Sequence, residues 1–450
     1  MESCKYEKGM EITMSEKEQI STQPYKGTRD FYPKEMRVRN WFFGEVKNIL
    51  EKFTYEEYNG PTLEALELYT SKSGNELANE QTYNFVDRGG RKLAIRPEMT
   101  PTVARMVAGK IGELTMPLRW FSIPNLYRYE RPQRGRLREH WQVNVDMFGC
   151  KTIEADFEIL NIAVALLNNF GADESMFKIK VNNRKFFNDV LKEQLQLSTD
   201  DILKVSKVID RKTKVPKEVY EEYLKEIGLN NEKVELLNSL FQMKVEEIVK
   251  LCPTSEGSKE IGDLFELISN SELKDYCKFD FSIIRGLDYY TGTVFEVFDE
   301  APENNRAMFG GGRYDNLIDL FVNNANVSGV GFGFGDVTLE NFLQTHNLIP
   351  EVLDKKDKVL ITRFSEIPYI EYIKLAKELR DAGIATSIYM ENKKLTKQIE
   401  YANKEGYTHI VVFGQNEMDN NQVVVKNINT RESSTVNRED WVQYFTSNLN

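Results

Sequence analysis

Four cysteines and three histidines are all that this 450-residue chain offers among the usual soft-metal ligands. Cys4, Cys150, Cys252 and Cys277 lie far apart with no CxxC pair, and no histidine stands at ligand spacing from another. A structural zinc site is therefore not expected, and the thiols are expected to be reduced. Long apolar runs are missing too: none approaches the roughly 20 residues that a membrane helix needs. Walker A spacing is also absent, so a nucleotide, if bound, is not held by a P-loop. The first 24 residues mix Glu with Lys and have neither an apolar centre nor an arginine-rich, acid-free composition. They are read as a disordered leader rather than a targeting peptide, with the cytoplasm as the default location. Excess positive charge is lacking as well. A net charge of -11 excludes general adhesion to phosphate backbones, so any nucleic-acid contact must be local.

One window has that local character. Between Tyr127 and Arg138 stand five arginines (128, 131, 134, 136 and 138) against the single Glu130, with Pro132 and Gly135 among them. Around it, the pattern predicts an amphipathic helix from Lys34 to Phe53, entered by Pro33, then an extended stretch ending at Gly60-Pro61. Strand signals follow at Lys92 to Ile95, Leu118 to Ile123 and His140 to Phe148, too closely spaced for intervening crossover helices, which suggests an antiparallel sheet. A buried helix from Asp156 to Phe170, closed by Gly171, leads to a strand from Phe177 to Val181. Residues 186–274 change texture: Lys- and Glu-rich, with Leu and Val at helical intervals, they read as a helical insertion between two halves of one sheet. The sheet pattern resumes at Phe281 and runs to Gly335, after which Asp336 is expected to cap a helix through Gln344. The domain division expected is 25–345 for the first domain, 346–357 for a linker and 358–450 for a small α/β domain. From Lys355 onward there are 14 Lys plus Arg against 13 Asp plus Glu, a balance that tolerates an RNA partner without demanding one.

The strand from His140 to Phe148 alternates, with Trp141, Val143, Val145 and Met147 on one face and Gln142, Asn144 and Asp146 on the other. Polar residues on a strand's second face ordinarily mean only a solvated surface. Here the strand directly follows the arginine window, and the row spans about 13 Å at Cα. A cationic loop opening onto an amide and a carboxylate makes a seat for an anionic group beside an ammonium or imidazole. Glu98, in Arg96-Pro97-Glu98-Met99-Thr100, adds a carboxylate for an α-amino group, with Thr100 as a helix cap. Gly310-Gly311-Gly312 reads as turns. Glycines 329, 331, 333 and 335 alternate with Val330, Phe332 and Phe334, which suggests a strand whose bare face admits a flat ligand such as adenine.

Taken together these motifs resemble the histidyl-tRNA synthetases. Lys26-Gly27-Thr28-Arg29-Asp30 and the helix through Pro61 look like the family's opening and class II motif 1, which forms its dimer interface. Arg128-Tyr129-Glu130-Arg131-Pro132-Gln133 with the following strand is similar to motif 2. Arg285-Gly286-Leu287-Asp288-Tyr289-Tyr290 and Gly311-Gly312-Arg313-Tyr314-Asp315 resemble the two peptides peculiar to the histidine enzymes. The resemblance implies an α+β fold: a class II antiparallel sheet flanked by helices, with a helical insertion and a C-terminal anticodon-binding domain. It implies a homodimer that uses ATP and Mg2+ to activate histidine and passes it to tRNA(His), with no membrane involvement. It also implies site residues. Glu98, Thr100 and Gln142 would hold the α-amino group, Asp146 and Tyr290 would read the imidazole, and Tyr289 and Tyr314 would line the histidine pocket. Arg128 would bind the α-phosphate, Arg136 the other phosphates, and Gly333 would face the nucleotide. Arg285 would sit at the reaction centre, while Gln133 and Arg138 would meet the tRNA. No metal-ligating side chains are assigned.

Two departures stand out. Motif 3 usually carries an arginine after the glycine strand, where this chain has Gly335-Asp336-Val337-Thr338, so Arg136 or Arg313 is expected to compensate at the γ-phosphate. The imidazole-reading acid is commonly Glu, where this chain has the shorter Asp146. The alternative function is a non-catalytic paralogue that regulates or senses tRNA.

Overall fold

The computed structural model describes residues 20–70, 81–212, 215–284, 289–304, 306–351, 353 and 357–448. The chain divides into two compact units between Ile349 and Pro350. In the first, helix α1 (Pro33–Lys52) has Pro33 in its first turn and buries Phe42, Val46, Ile49 and Leu50 along one stripe. Strands follow as β1 (Glu56–Glu57), β2 (Leu63–Ala65), β3 (Asn84–Val86) and β4 (Lys92–Ile95), then helix α2 (Thr100–Gly109). Next come β5 (Leu118–Ser122), β6 (Asn125–Tyr127), β7 (Glu139–Phe148), helix α3 (Ile153–Asn169) and β8 (Phe177–Asn183). After the helical insertion, β9 (Cys277–Phe279), β10 (Thr293–Asp299), β11 (Ala307–Tyr314) and β12 (Gly329–Gly335) lead into helix α4 (Asp336–Thr345).

Nine of these strands form one sheet, in the order β1-β5-β7-β12-β11-β10-β8-β9 with β6 beside β7. The sheet is mixed rather than wholly antiparallel, because β1 runs parallel to β5 and β8 runs parallel to β9. Parallel neighbours need a long crossover. The helical insertion supplies one between β8 and β9, running from Arg184–Gln194 to Glu256–Ser269. Four of its helices start on side-chain caps at Asn183, Ser198, Asn230 and Ser255, each accepting a backbone N–H of the first turn. The insertion is no detached spacer: its apolar side, including Phe186, Val205, Leu237 and Leu264, joins the same core as α1, α3 and the back of the sheet. Strand β4 departs from expectation by leaving the large sheet for a separate three-stranded one, β2-β4-β3.

The second unit has strands β13 (Lys358–Ile361), β14 (Ala385–Ile388), β15 (His409–Val412), β16 (Gln422–Asn427) and β17 (Ser433–Asn437). Their order is β14-β13-β15-β16-β17, with parallel pairs on both sides of β13. Val359, Ile361, Tyr372, Leu379, Val411, Trp441 and Phe445 form its core. No helix among the described residues is long and apolar enough to cross a membrane.

Candidate active site

The large sheet has a greasy back and a chemically furnished front. Val143, Val145 and Met147 of β7 and Val330, Phe332 and Phe334 of β12 pack against the core behind it. Alternation therefore turns Gln142, Asn144 and Asp146 to the front, together with Gly329, Gly331, Gly333 and Gly335. Glycines 310 to 312 lie inside strand β11 and not in turns, with Gly312 opposite Gly331 and Tyr314 opposite Gly329. Over this bare floor the neighbouring side chains lean in. A Cβ on Gly329 would stand 2.3 Å from the Tyr314 ring, on Gly331 2.5 Å from Asp146 Oδ1, and on Gly333 2.7 Å from Gln142 Nε2. The glycines thus make room for the protein's own polar groups, and the place beside Gly333 is taken by the Gln142 amide.

Asp146 is the centre of this face. It is buried, and Tyr314 donates a short hydrogen bond to its Oδ1 from two strands away. Burial pushes its carboxyl up to about 7, with the Tyr314 bond opposing the rise. Tyr289 and Tyr290 pack nearby, their rings 4.8 Å apart and Tyr289 5.8 Å from Tyr314. Arg285, with residues 286–288, lies outside the described residues. The chain on both sides of that segment, Ile283 and Tyr289, is buried in the same front-face cluster as Tyr314.

The other end of the β7 row opens on the arginine loop. Gln133 and Arg136 exchange backbone hydrogen bonds of 3.0 and 2.9 Å, closing a tight turn in which Gly135 has φ of 76°. Glu130 lies 3.2 Å from Arg136 and 4.0 Å from Arg128, so one carboxylate organises two guanidiniums. Arg128 Nε donates to the Pro97 carbonyl at 2.9 Å, which ties the loop to the Arg96–Thr100 segment. Glu98 there is buried, and Thr100 opens α2 as its first residue, the cap position being Met99. His140 stands on the front face beside Arg128. Burial, then the charges of Arg128 and Arg29, push its pKa down to about 3, so the ring is neutral.

The whole chain is similar to known proteins. A family model for histidyl-tRNA synthetase matches residues 27–336, and one for the anticodon-binding domain matches 359–448. A histidine–tRNA ligase of Leptospira biflexa is 43% identical over 434 residues, covering 96% of this chain and 99% of that protein. One from Thermoplasma volcanium is 36% identical over 428 residues, covering 93% and 97%. The chain belongs to the histidyl-tRNA synthetase family. Its fold agrees: the crystal structure of histidyl-tRNA synthetase from Nostoc sp. PCC 7120 superposes with a TM-score of 0.77 at 22% identity, covering 96% of this chain and all of that one.

Within this histidyl-tRNA synthetase scaffold, one arginine expected at a ligand is found elsewhere. Arg313 alternates to the back of the sheet. Its Nε is 3.0 Å from Asp156, Nη1 donates to the Cys150 carbonyl at 2.9 Å and Nη2 to the Thr152 carbonyl at 3.1 Å. Only 5% exposed, that guanidinium anchors β11 to α3 and is turned away from the front face, which corrects its expected role at ATP. Arg138 is a strut of the loop: its Nε donates to the Glu130 carbonyl at 3.1 Å, its Nη1 to the Tyr25 hydroxyl at 2.6 Å, and it lies over the Tyr129 ring. Asp336 does not cap α4 but is its first residue. Its carboxylate accepts the Trp141 N–H at 3.0 Å and pairs with Arg29 at 2.6 Å, continuing the ladder where β12 turns into helix. In place of a motif 3 arginine, Thr338 packs its methyl against Gly135. Sequence reading missed Tyr58 and Ser122, which the β1-β5-β7 pairing brings to the Asp146 face. Neither carries a motif signal. Among the described residues no group of three or more His, Cys, Asp or Glu is placed to hold a metal ion.

Proposed function

We propose that this synthetase activates histidine with ATP and transfers it to tRNA(His) through the residues of the front face. The observation that carries the reading is the buried Asp146–Tyr314 pair at one end of a row whose other end, Gln142, opens beside the Arg128 loop. A buried carboxylate braced by a phenol suits an imidazole N–H, and a fixed guanidinium suits a phosphate. Glu98, Thr100 and Gln142 hold the α-amino group, while Tyr289 and Tyr290 wall the ring. The histidine carboxylate attacks the α-phosphorus, forming the mixed anhydride and releasing pyrophosphate. Arg128 on the α-phosphate and Arg285 at the reacting carboxylate neutralise charge that builds up between two anions. Arg136, 60% exposed at the side chain and paired with Glu130 at 3.2 Å, takes the remaining phosphates in the absence of a motif 3 arginine. Mg2+, supplied with ATP, would screen the phosphate charge. A ribose hydroxyl of the tRNA 3′ end then attacks the anhydride carbonyl and AMP leaves. Gln133 at the loop tip meets the acceptor end, with Arg138 holding the loop in shape.

The three-stranded sheet supports the dimer part of the reading. Leu63, Ala65, Phe85, Leu93 and Ile95 share one of its faces by register. Leu63 and Phe85 are 47% and 42% exposed there, an apolar face that a second copy would cover. The cytoplasm is the site of action. Pyrophosphate exchange into ATP, run with each amino acid in turn, tests the core of the proposal. Histidine alone should support exchange; no exchange with any amino acid overturns it.

A further inference from the structure

Beside Asp146 lie two hydroxyls that no motif marks. Strand β5 pairs with β7 so that Trp120 faces Asp146 and Ser122 faces Asn144, and all four side chains share the front. Tyr58 follows β1, donates its backbone N–H to the Phe121 carbonyl at 2.8 Å, and sets its ring 5.6 Å from that of Trp120. Three oxygens consequently gather at the closed end of the row: Asp146 Oδ2, Tyr58 Oη and Ser122 Oγ. Each is buried from solvent and none makes a hydrogen bond of good geometry within the described residues, the two hydroxyls of Tyr58 and Ser122 lying close to each other. Ser122 is fully buried and Asp146 is 3% exposed. Tyr58 is turned toward both. Its phenol is held well above the usual pKa by burial and then by the Asp146 charge, so it remains a donor.

A lone buried oxygen without a partner is tolerated as a local defect. Three converging from β5, β7 and the residue after β1 inside an apolar cluster form a polar subsite, because each carries a desolvation penalty that a hydrogen-bonding ligand removes. The surroundings are otherwise apolar and aromatic: Trp120, Leu118, Phe148, Tyr289 and Tyr314. We propose that Tyr58 and Ser122 are specificity-determining residues of the histidine site, forming with Asp146 Oδ2 a three-oxygen cradle for the ring N–H edge of the bound imidazole. This deepens, and rests on, the assignment of Asp146 to the imidazole. It also accounts for the shorter acid in this chain: what Asp146 lacks in reach is made up by hydroxyls from the neighbouring strands. An apolar side chain of imidazole size leaves all three oxygens unpaired, so the cradle rejects it by the same desolvation that favours histidine.

The test is histidine-dependent pyrophosphate exchange by Tyr58→Phe and Ser122→Ala, each of which removes one oxygen and leaves the packing atoms in place. KM for histidine should rise roughly three- to tenfold in each, the range of one neutral hydrogen bond. KM for ATP should stay within twofold, and the melting temperature should change little, since neither oxygen makes a hydrogen bond of good geometry within the described fold. Preference for histidine over thiazolylalanine, whose ring has no N–H, should shrink by the same factor. If wild-type enzyme exchanges with histidine and both variants keep its KM and its preference, the cradle is wrong while the Asp146 assignment stands. Equal loss toward histidine and thiazolylalanine also overturns it, showing a steric role. No histidine-dependent exchange by the wild type removes both readings together.

Discussion

Tyr314 on β11 donates its phenol proton to Asp146 on β7 across the whole width of β12, the strand between them. Two side chains so separated can meet only because β12 presents hydrogen atoms, not Cβ atoms, to the front at Gly329 and Gly331. The glycine strand is thereby a specificity element of the amino-acid site, made by leaving side chains out.

Gly331→Ala tests that relation directly. The added methyl would stand 2.3 Å from the Val145 carbonyl and 2.5 Å from Asp146 Oδ1, contacts that backbone cannot give way to easily. Urea unfolding should show a loss of about 1–3 kcal/mol from overpacking. KM for histidine should rise by at least tenfold in the folded fraction. An unchanged histidine KM would mean that the Asp146–Tyr314 bond is incidental to binding.

The Asp146 carboxyl predicts a pH dependence. Its folded pKa is raised to about 7 by burial, against about 3.9 for an unfolded chain. A raised carboxyl binds its proton more tightly in the folded state. Its stability contribution is therefore fully present below about pH 4 and lost as pH rises through about 7. Relative to Asp146→Asn, the wild type should lose on the order of 4 kcal/mol over that window, read from urea midpoints at successive pH values. Parallel pH profiles for the two proteins would refute the raised value.

Arg313→Ala separates structure from chemistry. With Asp156 left buried and unpaired, stability should fall by about 3–5 kcal/mol. KM for ATP, measured well below the melting point, should be unchanged. A selective loss of ATP affinity in a stable variant would return Arg313 to the nucleotide.

Two residues should divide the reaction into its halves. Arg285→Ala is expected to lower kcat of adenylate formation by ~10²–10³-fold with little effect on histidine affinity, as for removal of a group that acts on the transition state. Gln133→Ala should spare pyrophosphate exchange and slow tRNA charging. If exchange and charging fell together, Gln133 would belong to the nucleotide site.

Much of this site is legible in the sequence alone. The alternation of β7 set Gln142, Asn144 and Asp146 on one face, because side chains on a strand have a period of two. The density of arginine between 128 and 138 marked the loop, since such charge clustering is rarely needed for folding alone. The texture of 186–274 marked the helical insertion, and its caps at Asn183, Ser198, Asn230 and Ser255 are local signals. Other features depend on pairing between strands distant in sequence. Tyr58 and Ser122 reach Asp146 only through the β1-β5-β7 order, and nothing near position 58 announces it. Arg313 and Tyr314 are adjacent in sequence, yet one is an ion pair behind the sheet and the other a hydrogen bond in front of it. The sequence by itself determined which residue types line each strand face and where the charge is concentrated, because both follow from local periodicity and composition. Only the tertiary structure decided which faces meet, that the glycine floor is covered by the protein's own polar groups, and which arginines remain available to a ligand. Register and strand order are set by the burial of the whole back face at once, and no single stretch of chain encodes that.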